Sequence, residues 1–273
     1  MRRAARWIPA AAIAALVLAG AFPLYWAAVS SVTPESRLFQ TPELVPGRLV
    51  LDHYRALFDQ RNFWVPIRNS LVVAGATTAL AVSVGALCAY ALARLRFRGK
   101  SLILAFILAV SMFPQIAIVS PLYIVLRRLH LINTYPGLVL PYLTFAMPLT
   151  IWLLVGFFRQ LPAELEEAGM MDGAGRLRTF REIVLPLSLP GLATTAILTF
   201  LYSWNEFLFA LSFTLGPERY TVPVAIALFR GQYQVPWGQI LAAAVVATAP
   251  VALLVLAFQR RIVQGLTAGA VKG

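Results

Sequence analysis

The chain has 273 residues, of which 60% are apolar and only 12% are charged, with a formal net charge of +12 and a mean hydropathy of +0.76. Soluble domains usually carry about 25% charged residues, so water is not the main solvent of this chain. The positive charge alone would suit nucleic acid. However, most basic residues flank apolar stretches, where they can meet anionic lipid headgroups, and no basic face with interleaved aromatics is evident. Nucleic-acid binding is therefore not expected.

Six apolar stretches are each long enough to cross a membrane, which takes about 20 residues for about 30 Å of hydrocarbon. They cover residues 8–29, 70–92, 101–126, 135–158, 189–213 and 239–258. The first follows arginines but runs on into bulky residues from Phe22 to Trp26, which suit a retained span better than a cleaved signal peptide. The sequence therefore predicts an all-α membrane protein with six transmembrane helices, forming a single domain over residues 1–273.

The distribution of lysine and arginine predicts the orientation of these spans, because short loops rich in these residues stay in the cytoplasm. The basic residues that fit one side are Arg2, Arg3, Arg6, Arg94, Arg96, Arg98, Lys100, Arg260, Arg261 and Lys272. Arg127 and Arg128 fall on the other side and are the exception. We therefore expect both termini to be cytoplasmic.

The longest polar interval, residues 30–69, is predicted to be an ordered external loop. Within it, Leu51, Tyr54, Leu57 and Phe58 recur at helical spacing, so we expect a short amphipathic helix that lies on the membrane face. A helix that only covers this face is favoured over one that binds a partner.

Two of the predicted spans contain proline pairs, Pro114 with Pro121 and Pro141 with Pro148. Each proline removes a backbone donor and tends to kink a helix. Broken helices in a bilayer need internal partners or a water-lined cavity, which favours a transport pathway over a simple anchor. Because proline is also commoner in membrane helices than in soluble ones, bundle packing alone explains the prolines equally well.

The segment from residue 161 to 186 separates the fourth and fifth apolar stretches and is cytoplasmic on this topology. Pro162 suits the first turn of a helix, and the glutamates that follow it complement the positive start of that helix. Asp172 and Gly173 suit its end and the beginning of a turn. A second amphipathic segment comes next, so the pattern predicts two short helices in an elbow.

Each helix of this elbow has an apolar face, formed by Leu161, Leu165 and Ala168 in the first helix and by Leu177, Phe180 and Val184 in the second. Ala168 and Gly169 also leave the first helix thin, so that another protein could approach its backbone. The pattern supports two interpretations equally. The elbow docks into a groove on a soluble partner, or it rests on lipid.

The spacing of residues in the elbow resembles the EAA loop of binding-protein-dependent ABC importer permeases. The matching pattern is Glu167-Ala168-Gly169, three residues, Gly173, nine residues, Ile183, one residue and Leu185-Pro186. Gly169 departs from the pattern, since the family often has alanine there. With its six spans, its long first external loop and the segment Ser203-Trp204-Asn205-Glu206-Phe207, nearly the whole chain is similar to carbohydrate importer permeases of the maltose and trehalose type.

This resemblance implies a type I ABC importer permease fold whose elbow is the coupling helix, seated in a cleft of the ATP-hydrolysing subunit. The residues that would take this role are Glu167, Ala168, Gly169, Asp172 and Gly173. The implied partners are a dimer of ATP-binding subunits, a second homologous permease and an extracytoplasmic sugar-binding protein, at the bacterial inner membrane. ATP and Mg would be bound by the partner ATPase, and this chain would hold no cofactor.

No nucleotide or metal site is predicted in the chain itself. The run Arg98-Gly99-Lys100-Ser101 ends like a phosphate-binding loop, but Arg94 stands where the first glycine of that loop is required. Cys88 is the only cysteine, and His53 and His130 lie far apart in the sequence, so no metal is implied. ATP must therefore be hydrolysed by another subunit.

Polar residues inside the fifth apolar stretch are candidates for the substrate path, because such side chains are costly in a membrane and usually face a cavity or a partner. Aromatic rings that stack on a sugar, with hydrogen bonds from Asn or Gln, would suit a neutral polyhydroxylated ligand. The candidates are Gln115, Tyr202, Trp204, Asn205 and Glu206. For Glu206, a bond to a neighbouring helix or a companion subunit is slightly favoured over a role in the path.

The resemblance and these residues together favour a permease subunit for a carbohydrate, with a di- or oligosaccharide as the expected substrate. Another small polar solute, such as a polyol or glycerol phosphate, is the alternative. An intramembrane enzyme would need catalytic groups clustered at depth, but Glu206 is the single acid of this kind. An ion-coupled carrier would usually show several intramembrane charges or an inverted repeat, and neither is evident.

Overall fold

The computed structural model describes residues 4–40, 44–229 and 235–268, with side chains for 11–40, 44–229 and 235–259. Over these residues the chain is helical and contains no strand. The helices are α1 (Ala4–Ser31), α2 (Asp52–Arg55), α3 (Trp64–Arg94), α4 (Lys100–Ser111), α5 (Gln115–Arg128), α6 (Tyr135–Gln160), α7 (Glu164–Met171), α8 (Arg176–Thr179), α9 (Leu185–Leu187), α10 (Leu189–Trp204), α11 (Leu208–Phe213), α12 (Val222–Ala227) and α13 (Trp237–Ala268). Arg2, Arg3 and Lys272, and the side chains of Arg6, Arg260 and Arg261, lie outside the described residues.

Four helices are long and apolar enough to cross a membrane, namely Ala11–Ser31 of α1, all of α3 and α6, and Trp237–Gln259 of α13. Two bent pairs of helices add one span each if a pair is counted as a single crossing. These pairs are α4 with α5, which meet at 90°, and Arg176–Leu187 with α10, which meet at 78°. The all-helical membrane fold is therefore confirmed, with four to six spans by length and composition.

The third apolar stretch forms two helices rather than one. α4 ends at Ser111 and α5 begins at Gln115, with Pro114 in an extended conformation between them. Proline has no amide hydrogen to continue the helical ladder, which accounts for the break. The other three prolines, Pro121, Pro141 and Pro148, lie inside continuous helices.

The fifth apolar stretch is also divided, although no proline marks the division. α10 ends at Trp204, and α11 begins at Leu208 after a turn at Asn205–Phe207. The backbone amides freed at this turn are taken up in part by the side chain of Glu206, which is described below. The two divided stretches, 101–126 and 189–213, are those that contain the candidate path residues.

The chain divides into two compact units, the first comprising Met1–Trp64 with Ala225–Pro250 and the second Val65–Val224 with Val251–Gly273. In the first unit, α2 and the helical turn Ala56–Gln60 that follows it form the short helix predicted in the external loop. This helix is held by packing, because Leu57 is fully buried and the ring of Phe63 meets that of Phe229 edge to face.

The second unit has its main apolar core beside the elbow. The core side chains come from the last turns of α3 and α6, the start of α10 and the turn Phe180–Val184 that follows α8. Its members are Ala86, Ala89, Tyr90, Leu92, Ile151, Leu154, Val155, Phe158, Phe180, Val184 and Leu192. The second helical segment of the elbow is thus packed against α3, α6 and α10.

Candidate functional site: the coupling elbow and the polar helix breaks

The elbow over residues 161–186 has the two helices that the sequence predicts. α7 runs from Glu164 to Met171, and a second arm runs from α8 through the turn Phe180–Val184 to α9. Ala163 occupies the N-cap position of α7. Pro162 therefore lies one residue before the cap rather than in the first turn of the helix. Gly173 follows the helix with φ +83°, a left-handed conformation that glycine adopts at helix ends without strain.

The two faces of α7 carry different kinds of residue. Glu166 and Gly169 face the interior and are buried, whereas Leu165, Glu167 and Ala168 are exposed. The apolar face predicted for α7 is therefore turned outward, and the buried face contains a carboxylate. Sequence periodicity does not distinguish Glu166 from Glu167, which stand side by side in the same helix.

Gly169 makes room for the second arm of the elbow. A Cβ atom built at this position would lie 2.5 Å from Cδ1 of Ile183, closer than real Cβ contacts. The sequence interpretation reserved the space at Gly169 for another protein. In the structure that space is occupied by the Ile183 side chain of the same chain. Two positions of the motif, Gly169 in one arm and Ile183 in the other, are therefore neighbours in the fold.

The outer surface of the elbow carries exposed apolar side chains beside charged ones such as Glu167, Arg178 and Glu182. Phe180 and Val184 of the second arm are buried as the pattern predicts, but Leu177 is 72% exposed, so its place on the same face was wrong. Leu177 joins three other exposed side chains of the elbow, and we call the four residues the apolar rim. They are Leu165, Met170, Met171 and Leu177, with Met171 88% exposed. Exposed apolar side chains of this kind mark contact either with a protein partner or with lipid.

Replacing Gly173 with alanine is expected to weaken the end of α7. A side chain at φ +83° costs about 1–2 kcal/mol, although the space around Gly173 is open. Amide hydrogen exchange in the last turn of α7 should therefore become about 5- to 30-fold faster. Gly175 is the matched control, because its surroundings are equally open and its φ is −70°. Equal exchange in the two variants would contradict the role assigned to Gly173.

The divided stretches bring two of the candidate path residues together. Nε2 of Gln115, at the first turn of α5, donates to the hydroxyl of Tyr202 in α10 at 2.6 Å. Both side chains are partly exposed. Asn205 is exposed at the end of α10, and its amide donates to the carbonyl of Leu201 at 2.8 Å. These three neutral polar groups are all at least partly exposed on this chain.

Trp204 and Glu206 are buried instead. The indole of Trp204 is 3% exposed and stacks on Phe200, with ring centroids 5.7 Å apart. The carboxylate of Glu206 accepts from the amide of Phe209 at 2.8 Å and from that of Ala210 at 3.1 Å. It therefore caps the start of α11, the next helix in the chain. The sequence interpretation had slightly favoured a bond to a neighbouring helix or a companion subunit over a role in the path.

Several apolar spans, helix breaks that carry neutral polar groups and an elbow packed against three helices are the features of a membrane permease. The described residues contain no group of three or more His, Cys, Asp or Glu side chains arranged to hold a metal ion. The chain itself matches the family described as "Binding-protein-dependent transport system inner membrane component" over residues 81–268. This match spans more than half of the chain.

Two relatives extend the similarity to nearly the whole chain. The trehalose transport system permease protein SugB of Mycobacterium tuberculosis is 46% identical over 100% of this chain and 99% of its own length. The trehalose/maltose transport system permease protein MalG of Thermococcus litoralis is 44% identical, with 92% of this chain and 91% of that protein covered.

A solved structure confirms the fold. It is the structure of a bacterial ABC transporter involved in the import of the acidic polysaccharide alginate, with a TM-score of 0.79, 22% identity and coverage of 94% of this chain and 96% of that chain. The chain belongs to the binding-protein-dependent ABC importer permeases, with their type I fold. It is a transport subunit and not an enzyme, and its family implies an ATPase and a substrate-binding protein as partners.

Proposed function

We propose that this chain is a permease subunit that imports a neutral di- or oligosaccharide, and that its elbow transmits the closure of an ATPase pair to the helices. One observation carries the coupling part of this proposal. The elbow presents the apolar rim on the outside while its other side is packed into the core through Phe180 and Val184. A force applied to this surface therefore reaches the helices directly.

Within the elbow, five residues are proposed to couple the chain to the ATPase: Glu167, Ala168, Gly169, Asp172 and Gly173. Glu167 and Ala168 are exposed beside the apolar rim and suit direct contact with the partner. Gly173 suits a role in ending the helix, and Gly169 in closing the two arms on each other. ATP and Mg would then be bound in the partner, which supplies the hydrolysis.

The proposed substrate path uses the exposed polar groups at the helix breaks. Gln115, Tyr202 and Asn205 offer an amide, a phenol and a second amide, which can bind sugar hydroxyls and carry no charge. Trp204 and Glu206 are both buried, so they would support the path residues without contacting the sugar. A lining without cations favours a neutral sugar over glycerol phosphate. The trehalose and maltose named for the two relatives support the same choice.

The assembly and topology proposed here follow the family. Residues 1–273 would form one permease domain, paired with a second homologous permease, two ATP-binding subunits and an extracytoplasmic sugar-binding protein. Both termini and the elbow would face the cytoplasm. The basic residues from Arg94 to Lys100 support this orientation, because such residues favour the cytoplasmic side. They follow the end of α3 at which Arg94 contacts Glu166 of the elbow.

The function is tested by reconstituting the complete transporter, with its binding protein, in liposomes that contain ATP. We expect uptake of labelled trehalose or maltose that requires both ATP and the binding protein and that persists when ionophores collapse the ion gradients. Uptake that stops with the ionophores while ATP is present would point to an ion-coupled carrier. Preference for glycerol phosphate or a polyol over both disaccharides would overturn the proposed substrate class.

A further inference from the structure

A buried ion pair links the elbow to a helix that it does not adjoin in the sequence. Nε of Arg94, the last residue of α3, lies 2.6 Å from Oε1 of Glu166 in α7, and the two side chains are only 15% and 9% exposed. The hydroxyl of Tyr90, one turn earlier in α3, donates to Oε2 of the same carboxylate at 3.1 Å. Each oxygen of Glu166 therefore contacts α3, Oε1 through the ion pair with Arg94 and Oε2 through the hydrogen bond from Tyr90.

Arg94 also holds the end of α6. Its Nη2 donates to the carbonyl of Leu161, the residue that follows α6, at 2.5 Å. The planar guanidinium presents several donors in a fixed fork, so a single arginine can fix α6 and α7 in one orientation. The ring of Tyr90 lies 4.8 Å from that of Phe180 in the second arm, centroid to centroid. The last turn of α3 thus contacts both arms of the elbow.

We propose that Arg94 and Glu166 are positioning residues that join α3 to the elbow, so that a displacement of α7 by the ATPase moves α3 together with α6 and α10. This inference rests on the proposed role of the elbow as the coupling element. The chain itself ties α6 and α10 to the elbow, since α6 ends where it begins and α10 starts where it ends. α3 has no such connection, and the ion pair supplies one.

A buried ion pair suits this task, here with a carboxylate that also accepts a hydrogen bond from Tyr90 and a guanidinium that donates one to the Leu161 carbonyl. Separating the two charges in a largely desolvated site leaves each of them without compensation, so the pair resists both approach and withdrawal of the helices. Apolar contact alone can slide, because it has no preferred direction. The two adjacent glutamates would then have different roles. Glu166 is buried against α3, and Glu167 is exposed, where it can contact the partner.

The experiment compares variants in the complete transporter, with the binding protein, in liposomes. Glu166→Gln removes the charge but can keep the bond from Tyr90, and Arg94→Lys keeps the charge but loses the fork. Both are expected to lower the sugar transported per ATP hydrolysed by at least about fivefold, within the usual range of coupling between sites. ATPase subunits should still co-purify with each variant, because the apolar rim is unchanged.

Two further variants make the outcome specific. Glu182→Gln is the matched control, since Glu182 pairs with Arg178 in the same elbow at 2.9 Å but both side chains are more than half exposed. Its transport per ATP should equal that of the wild type. The double variant Arg94→Glu with Glu166→Arg tests direct pairing, and we expect it to transport better than either single reversal, including when a single variant does not assemble.

The results separate this inference from the function on which it rests. Wild-type transport per ATP in Glu166→Gln and Arg94→Lys, or a double reversal no better than the single ones, would overturn the positioning role. The coupling role of the elbow is tested separately by Leu165→Asp in the apolar rim. If ATPase subunits still co-purify with Leu165→Asp at the wild-type level, the elbow is not the docking element, and both proposals fail together.

Discussion

Replacing Asn69 with leucine is expected to destabilise the second unit by about 2–5 kcal/mol, because all three hydrogen bonds of a buried amide are lost at once. Asn69, near the start of α3, is fully buried. Its Nδ2 donates to the carbonyls of Glu218 and Tyr220 at 3.0 and 2.9 Å, and its Oδ1 accepts from the hydroxyl of Tyr135 at 2.7 Å. Leucine has a similar volume but removes a partner from the Tyr220 carbonyl and the Tyr135 hydroxyl, while the Glu218 carbonyl retains the hydrogen bond from Nη1 of Arg219 at 3.4 Å.

The expected loss should be seen as a lower melting temperature of the purified transporter and faster proteolysis between residues 214 and 221. Asn133→Gly is the matched control. Asn133 is partly exposed, contacts the same segment through Glu218 and Leu215, and has φ +62°, which glycine adopts without strain. Its cost should stay below about 1 kcal/mol. A melting temperature for Asn69→Leu equal to that of Asn133→Gly would contradict the central role of Asn69.

The membrane spans illustrate how much of the fold was predictable. Hydropathy sums over about 20 residues, so it locates apolar stretches well but is insensitive to a local change of backbone direction. The break before Gln115 had a visible signal in Pro114. The break after Trp204 had a signal too, the polar pair Asn205 and Glu206. Both residues were candidates for the substrate path, although for Glu206 a bond to a neighbouring helix or a companion subunit was slightly favoured. In the structure the carboxylate satisfies backbone amides at the break.

The elbow illustrates where sequence reasoning stops. Its two helices, its end at Gly173 and the buried Phe180 and Val184 follow from local pattern and motif. The burial of Glu166 does not, because one of its partners, Tyr90, lies 76 residues earlier in the chain. The exposure of Leu177 was missed for a related reason. Periodicity identifies a face but does not say whether another element covers it.

Replacing Glu206 with glutamine is expected to lower the stability of the transporter by about 2–4 kcal/mol while leaving the KM for sugar uptake nearly unchanged. The two carboxylate oxygens accept from the amides of Phe209 and Ala210, and hydrogen bonds to a charged group contribute about 1.5–3 kcal/mol each. Glutamine keeps one acceptor and turns an NH₂ group toward the second amide. The expected damage is therefore to the start of α11.

Asn205→Ala provides the opposite expectation at the adjacent position. Asn205 is exposed, and its amide bonds to the Leu201 carbonyl within its own helix, so the melting temperature should change little. If Asn205 lines the proposed path, the KM for sugar should rise instead. Measuring the melting temperature and KM of both variants thus assigns each residue independently. A Glu206→Gln transporter with wild-type stability and a raised KM would place the carboxylate in the path, because a group that only caps α11 cannot alter sugar binding without first weakening the helix.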